Sequence, residues 1–376
     1  MQAQLKIAPG DSILLSREEK RRTDALQASD LHAPYLSLPL SDEWEVTPEG
    51  ENTLLMEYCR YKKGDGTFSS PLPIIAVQRL LTVENYSGPL TLRYDLQTND
   101  CISNLFLALE DPDSQEIYLD GKQIENKDFG YFYEKSFRRI AIGTLTTGRH
   151  TVEIRRHFQP LSRVTNALTQ LFEARYGVEL EPMYLLGRFT VCAQTTASHN
   201  GCITLENAFS LSSAKDTFFT TGEICTEGYP FFVGSMRLKQ RFTLPKSVKP
   251  ENGVLSLGVL NAACAEVFVN GKAVGDICRA PARLPLADAL REGENEITIR
   301  LFTTLHNVIG PFHRPLGNVG NTFGGGYKNP DAAWLSVDTT QDGWHEHLED
   351  FYPTWTNDYN VVPLGIKDAS IVVPIN

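Results

Sequence analysis

Hydrophobic and polar residues alternate along much of the chain, with a period of two. One strand is predicted at 90–96, with an apolar face formed by Leu90, Leu92, Tyr94 and Leu96. A second is predicted at 238–244, where the same face carries Leu238, Gln240, Phe242 and Leu244. Strict alternation is typical of a strand that is buried on one side only. The pattern therefore predicts antiparallel sheets that cover a core with one face.

The same set of elements occurs twice in the sequence. Two short blocks and a glycine-led strand of the first copy, at 105–109, 116–122 and 148–155, correspond to 255–259, 266–272 and 293–300 in the second. Each copy contains a tight hairpin signal, Asp120-Gly121 or Asn270-Gly271, because both turn positions need positive φ. A match in fixed order at so long a period predicts a duplicated domain.

The fold class predicted is all-β, as two tandem antiparallel jelly-roll β-sandwiches with one inserted helix. The helix is predicted at 162–176, where Val164, Leu168, Leu171 and Phe172 have helical spacing before Gly177. A weaker helix signal covers 16–26. The expected division is an N-terminal extension at 1–31, a first sandwich at 32–182 and a second at 183–376. The second includes a long aromatic loop region at 310–360, rich in Gly, Asn and Pro.

Charge and hydropathy limit the classes of partner. The net charge is -11 and the sequence pI is about 5.3, whereas nucleic-acid binding needs clustered Lys and Arg. No segment is apolar over the length that a membrane span requires, and no secretion signal is visible. We therefore expect no nucleic-acid or membrane partner, and either a cytoplasmic location or a chain that is a piece of something longer.

Seven cysteines are scattered without a C-x-x-C spacing. An odd number without metal-ligand spacing favours reduced, mostly packed thiols over disulfides or a zinc site.

Several short blocks resemble the C-terminal β-sandwich region of large bacterial rhamnosidase-like and family 2-like glycoside hydrolases. Residues 184–191 resemble the strand that opens a module in those enzymes. Residues 228–242 resemble their glycine, aromatic, Pro-Phe and strand signature. Residues 266–272 with 293–297 resemble their jelly-roll sugar-binding domain, and 307–313 resemble a stretch that ends in paired histidines, here Phe312-His313.

The resemblance implies two galactose-binding-like jelly rolls. It also implies that the catalytic carboxylates lie on a (β/α)8 barrel upstream, and no part of this chain has the alternating strands and helices of such a barrel. The partners implied are carbohydrate and a glycoside hydrolase catalytic domain or subunit.

Glycoside hydrolysis needs two facing carboxylates. The chain has 46 Asp and Glu residues, so composition does not single out a pair. Asp216, Glu223 and Glu227 lie near the Gly-Tyr-Pro-Phe block and are the weak catalytic candidates. Solvated loop charges are the other interpretation.

Aromatic residues that could bind sugar are concentrated near the C-terminus. Flat rings pack on the C–H faces of pyranoses, while Asn and His bind hydroxyl groups. The predicted carbohydrate-binding residues are Trp334, Trp344, Trp355, Tyr327, His313 and Asn321. The other interpretation is that these aromatics pin a segment without strands against the sandwich.

Metal chemistry has little support in the sequence. The resemblance to jelly rolls implies a structural calcium ion in loop oxygens, for which Asp111-Pro-Asp113 is the candidate by composition, although it lacks the spacing of an EF-hand. His345-Glu346-His347 could present two histidines to one side, but lacks the helical H-E-x-x-H context of zinc hydrolases. No cofactor is expected.

Three functions follow from these features. The first is a non-catalytic region that supports, or binds sugar for, a glycoside hydrolase barrel encoded upstream or on a partner chain. The second is a glycosidase with its active site in the cleft between the two sandwiches. The third is a protein–protein assembly module that uses the aromatic cluster as an interface.

Overall fold

The computed structural model describes residues 35–160, 177–199, 201–310, 312–313 and 356–375. The helices predicted at 16–26 and 162–176 lie outside these residues. Two α-helices are described, α1 (Ile74–Val83) and α2 (His306–Ile309). Single 3₁₀ turns occupy Pro112–Ser114, Cys225–Glu227, Pro250–Asn252 and Ala287–Ala289.

Strands account for most of the described residues. The first thirteen are β1 (Tyr35–Pro39), β2 (Trp44–Pro48), β3 (Asn52–Met56), β4 (Tyr58–Lys63), β5 (Leu72–Pro73), β6 (Gly88–Thr98), β7 (Ile102–Glu110), β8 (Glu116–Leu119), β9 (Lys122–Ile124), β10 (Asp128–Tyr131), β11 (Phe137–Leu145), β12 (Gly148–Phe158) and β13 (Met183–Gly187). The others are β14 (Phe189–Cys192), β15 (Thr195–His199), β16 (Cys202–Leu205), β17 (Ser210–Ser213), β18 (Phe218–Thr220), β19 (Ser235–Leu244), β20 (Val254–Asn261), β21 (Cys264–Val269), β22 (Lys272–Ile277), β23 (Arg283–Pro285), β24 (Gly293–Phe302), β25 (Tyr359–Val361) and β26 (Gly365–Pro374).

The all-β sandwich fold predicted from the alternation is confirmed. The predicted strands at 90–96 and 238–244 lie in β6 and β19, and their apolar faces are buried except at Phe242, which is partly buried. Gln240 is the polar member of that face. Its amide accepts a hydrogen bond from the Ser41 backbone at 3.0 Å and donates one to the Ser41 carbonyl at 3.2 Å. A buried amide is tolerated because both of its functions are paired.

The two copies have corresponding strand orders. In the first, one sheet runs β10-β11-β7-β13-β3 and the other β14-β17-β6-β12-β8-β9, with β4 paired to β6. In the second, one sheet runs β1-β26-β20-β23 and the other β18-β2-β19-β24-β21-β22. Thus β7, β8, β9 and β12 take the places that β20, β21, β22 and β24 take in the second copy. A small sheet, β15-β16-β25, lies outside both sets.

Sheet membership does not follow the division expected at residues 31/32 and 182/183. β1 and β2, near the start of the described chain, pair with β26 and β19 of the second copy. β13, which contains the segment expected to open the second copy, pairs with β3 and β7 of the first. The strands of the first copy are therefore inserted between β2 and β18 of the second.

The two predicted hairpins are confirmed, and they are pinned in the same way. Asp120 and Asn270 have φ of 49° and 52°, and each is followed by a glycine with positive φ. One Asp120 carboxylate oxygen accepts the Thr151 N–H at 2.8 Å. The Asn270 side-chain oxygen accepts the Glu296 N–H at 3.0 Å. Each turn is thus tied to the long strand beside it by the side chain of its first residue.

Helix α1 was not predicted from the sequence. It follows Pro73, whose extended backbone precedes the first helical residue, and it buries Ile74, Ala76, Val77 and Leu81. A short apolar run of this kind does not distinguish a buried strand from a helix. Within the stretches of chain described above, no helix is long and apolar enough to span a membrane.

Candidate functional site

The two copies meet at a buried aromatic cluster, which we call the junction cluster. Its members are Tyr58, Phe209, Phe231, Phe312, His313 and Tyr359. Tyr359 lies at its centre, with its ring 4.8 Å from that of His313, 5.1 Å from Phe209 and 5.6 Å from Phe231, centroid to centroid. These are favourable edge-to-face contacts. Burial raises the pKa of the Tyr359 hydroxyl well above its usual range, so this hydroxyl stays neutral.

His313 contacts two other segments of the chain, one through each ring nitrogen. Nε2 contacts Oε1 of Glu57, which lies between β3 and β4. Nδ1 donates to the carbonyl oxygens of Thr356 at 2.8 Å and Asp358 at 3.1 Å. Carbonyls only accept, so Nδ1 carries a hydrogen, and a proton must also lie between Nε2 and the carboxyl group. The side chain of His313, predicted from the sequence to bind sugar, is 6% exposed and holds protein groups instead.

Two backbone hydrogen bonds join residues 312–313 to residues 356–360 beside the same histidine. The Thr356 N–H donates to the His313 carbonyl, and the Asn360 N–H donates to the Phe312 carbonyl, both at 2.9 Å. The chain therefore leaves at 313 and returns at 356 at one place on the junction cluster. The other predicted sugar-binding residues, Trp334, Trp344, Trp355, Tyr327 and Asn321, lie between these points and outside the described residues, as does His345-Glu346-His347.

Glu223 is a tie between backbone segments. Its Oε1 accepts the N–H of Cys225 at 3.0 Å and that of Leu364 at 3.2 Å, and so joins the turn after β18 to the segment before β26. Burial raises the pKa of this carboxyl group above its ordinary value, against those two hydrogen bonds. The backbones approach closely here, since a Cβ on Gly222 would lie 2.3 Å from the Ile366 carbonyl.

The structure does not bring the three candidate carboxylates together around one centre. Glu227 is exposed, whereas Glu223 faces the backbone. Asp216 is 86% exposed, pairs with Arg188, and lines a cleft of about 290 Å³ between the copies. Glu51, on the connection from β2 to β3, lines the same cleft and binds Arg139 at 2.8 Å. The cleft thus holds two carboxylates, each neutralised by an arginine.

Asn307 pins the connection that leads to the junction cluster. Its amide donates to the Val362 carbonyl and accepts the Val362 N–H, both at 2.8 Å. This pairing explains the asparagine at the start of the block 307–313 that resembles the hydrolases. Asn307 also lines a cavity of about 300 Å³ in the second copy, together with Tyr229, Phe232, Asn261 and Thr304. The named lining groups are uncharged amides, hydroxyls and aromatic rings, which suit a polar, uncharged ligand.

A perturbed carboxyl group that sequence reasoning missed lies in the first copy. Burial, and then the neighbouring Glu179, Glu110 and Glu134, raise the pKa of Glu181 to about 7. Glu181 lines a cavity of about 200 Å³ with Arg156. Raised carboxyl pKa values are common among general acids. Spacing along the chain does not reveal this group, because its environment depends on strands far apart in sequence.

The candidate calcium site is occupied by protein cations. Asp111 binds Arg156 at 3.3 Å, and Asp113 binds Arg138. Asp111 also accepts a hydrogen bond from Ser114. In the described parts of the chain, no group of three or more His, Cys, Asp and Glu side chains is placed to hold a metal ion.

Sequence comparison gives one short match, and no family model matches the chain. Over 92 residues the chain is 33% identical to a protein of Formosa agariphila named "Putative beta-glucuronidase". The match covers 24% of this chain and 8% of that protein.

Among solved structures, the chain is similar to the rhamnosidase of Novosphingobium sp. PP1Y. The match covers 93% of this chain and 26% of that one, with 15% identity and a TM-score of 0.27. A GH2 β-galacturonidase from Eisenbergiella tayi matches 68% of this chain and 36% of its own, with 12% identity and a TM-score of 0.26. The chain thus spans about a third or less of each of these three proteins. It is similar to regions of glycoside hydrolases, as predicted from its sequence.

Proposed function

We propose that this chain is a non-catalytic, carbohydrate-associated region of a glycoside hydrolase-type protein. It supports, or binds sugar for, a catalytic barrel located upstream or on a partner chain. A cytoplasmic location is part of the proposal, and its support is the odd number of cysteines without a C-x-x-C spacing.

The geometry of Glu223 is the observation that carries the non-catalytic part. Its pKa is raised, as that of a general acid is, but its Oε1 is occupied by two backbone N–H groups. A carboxylate that holds two chain segments together would have to release them to reach a substrate. The resemblance to hydrolase regions supports the same assignment, because the catalytic carboxylates of those enzymes are expected on a separate barrel.

The cavity beside Asn307 supports sugar binding. Its volume of about 300 Å³ lies at the lower end of the range for small-molecule sites. It borders the connection from which the chain leaves at His313 toward Tyr327, Trp334, Trp344 and Trp355. We include these aromatic residues and Asn321 in the proposed carbohydrate-binding surface, with His313 as the residue that anchors the segment.

Isothermal titration of the chain against a panel of plant and bacterial glycans tests this proposal. We expect binding to at least one neutral glycan, and at least tenfold weaker binding in a variant that carries N261A and T304A. Matched replacements in the cleft, such as D216N, should leave the affinity unchanged. Equal affinity in the cavity variant would contradict this location, and failure of the whole panel would leave only the supporting role.

A second candidate function is favoured by the cleft of about 290 Å³ that contains Glu51 and Asp216. Two carboxylates in one cleft are the minimum for a glycosidase. Purified chain assayed on aryl glycosides decides between the two, since turnover that is lost in both E51Q and D216N would replace the non-catalytic proposal. A concentration-dependent shift to a larger species in size-exclusion chromatography, without glycan binding, would favour the assembly module.

A further inference from the structure

Cys264 and Cys278 form a close pair at one end of a hairpin in the second copy. β21 and β22 are antiparallel, and Ala265 lies opposite Ile277. The next position outward places Cys264 opposite Cys278. Their Sγ atoms are 2.6 Å apart, and residues facing each other across antiparallel strands have the Cα separation that a disulfide needs. Bond formation would therefore need little backbone movement.

The environments of the two thiols differ. Cys278 is exposed, while Cys264 is partly covered. Burial, together with the neighbouring Cys278 and Asp276, raises the pKa of Cys264 to about 11. A thiol attacks only as the thiolate. Cys278 is consequently the sulfur that an oxidant in solution meets first, and Cys264 is placed to attack after it.

We propose that Cys264 and Cys278 are an oxidisable dithiol that closes to an intrachain disulfide in the presence of a small disulfide oxidant of the glutathione type. The Cys278 thiolate attacks one sulfur of the oxidant, whose S–S bond breaks and releases one glutathione thiol. Cys264 then loses its proton and attacks the Cys278 sulfur, which releases the second glutathione. Two protein thiols are oxidised, and one oxidant disulfide is reduced to two thiols.

A disulfide between Cys264 and Cys278 would bind the edge strand of the six-stranded sheet covalently to its neighbour. Among the described residues, β22 is the last strand of that sheet and pairs with β21 alone. The covalent bond would prevent this edge from separating, and it would restrict the unfolded chain over a short loop. The Asn270-Gly271 turn holds the opposite end of the same hairpin, so β22 would be fixed at both ends.

Mass spectrometry of the whole chain incubated with oxidised glutathione tests the proposal. A background with C101S and C192S removes the two exposed thiols elsewhere and leaves Cys59, Cys202 and Cys225 buried. In this background we expect the loss of two hydrogens, no retained glutathione, and a peptide pair joined through Cys264 and Cys278. Thermal unfolding should shift upward by several degrees on oxidation and return on reduction.

The single variants distinguish a functional pair from two independent surface thiols. C264S should accumulate a stable glutathione adduct on Cys278, because nothing displaces it. C278S should react more slowly, because Cys264 is partly covered. A stable adduct on Cys278 with Cys264 intact, or two thiols that remain open to alkylation after oxidation, would overturn the proposal.

Discussion

Nδ1 of His150 lies 2.7 Å from a carboxylate oxygen of Asp120, at the position where the second copy joins Asn270 to Asn295 at 2.8 Å. The other His150 nitrogen lies 2.7 Å from the Thr146 carbonyl. Both nitrogens therefore face acceptors, and the ring satisfies them best as an imidazolium. The same hairpin tie is ionic in one copy and neutral in the other.

The first prediction concerns the pH dependence of this tie. Burial opposes the charged ring, but hydrogen bonds to Asp120 and Thr146 outweigh it and raise the pKa of His150 above 6.5. The stabilisation by the His150–Asp120 tie is then fully present below pH 6.5. It is lost as pH rises through the higher pKa that His150 has in the folded state. We expect a loss of about 1 kcal/mol, because Asp120 is half exposed.

Urea unfolding of wild type and of the variant that carries D120N and H150N, followed from mildly acidic to alkaline pH, measures this loss. The variant copies the neutral tie of the second copy and should lack the dependence. The reciprocal variant with N270D and N295H should acquire a second pH dependence of stability, from the second copy. An unchanged pH profile in the first variant would contradict the ionic tie.

The second prediction is strong coupling between Glu57 and His313. Both side chains are nearly buried, and removal of either leaves the other without its partner. A double-mutant cycle with E57A and H313A should give a coupling free energy of about 2 kcal/mol. The exposed pair Lys63 and Glu84 serves as the control and should give less than about 0.5 kcal/mol. Additive effects of E57A and H313A would contradict a strong interaction between the two side chains.

The third prediction separates a structural from a catalytic role for Glu223. E223A removes the acceptor of two backbone N–H groups and should reduce the free energy of unfolding by about 2 kcal/mol. E223Q keeps an amide oxygen in place of Oε1 and should cost much less. E227A, at an exposed position, should have almost no effect. Equal losses in E223A and E223Q would show that the negative charge, rather than the acceptor, matters.

The fourth prediction concerns Asn307. N307A leaves the Val362 N–H without its acceptor, and it leaves the Val362 carbonyl with only the Cys225 thiol as a donor, at 3.4 Å. We expect a cost of about 2 kcal/mol. Ile309, in the same short helix, is 59% exposed, and I309S should leave stability nearly unchanged. Thermal unfolding of the two variants provides the comparison. A small effect in N307A would mean that water replaces the amide.

The fifth prediction concerns Glu181. Its folded pKa of about 7 lies above the ordinary value of 4.5, so the folded state binds the extra proton between these values. Stability should fall as pH rises from 4.5 through about 7, and then level off. The loss should be below about 1 kcal/mol, because solvent and salt screen the neighbouring charges. E181Q should flatten the pH dependence of the thermal unfolding midpoint over this range, and an unchanged dependence in E181Q would contradict the assignment.

The strands and hairpin turns could be predicted because their signals are local. The alternation at Leu90 to Leu96 and the Asp120-Gly121 and Asn270-Gly271 turns depend on residues close in sequence, and all three are confirmed. Helix α1 was not predicted because its apolar residues 74–77 are consecutive. A continuous apolar run has neither the helical nor the strand spacing of hydrophobic residues.

Sheet membership and the junction cluster depend on distant partners. Nothing near Tyr35 shows that β1 will pair with β26, and nothing near Glu57 shows that it will meet His313. The resemblance to hydrolases drew attention to Asn307 and His313, but not to the backbone groups they hold. The Glu181 environment likewise arises only when Glu110, Glu134 and Glu179 are brought together.

The insertion of the first copy between β2 and β18 has a consequence for synthesis on the ribosome. β1 and β2 emerge early, yet β19 and β26, with which they pair, emerge only after the whole first copy. Until then, two N-terminal strands have unpaired edges, which favours association with other chains. The first copy has all its own sheet partners once β17 has emerged. β18 follows at once and pairs with β2, with Phe218 opposite Val46. The inner unit would therefore fold first and act as the template on which the outer one closes.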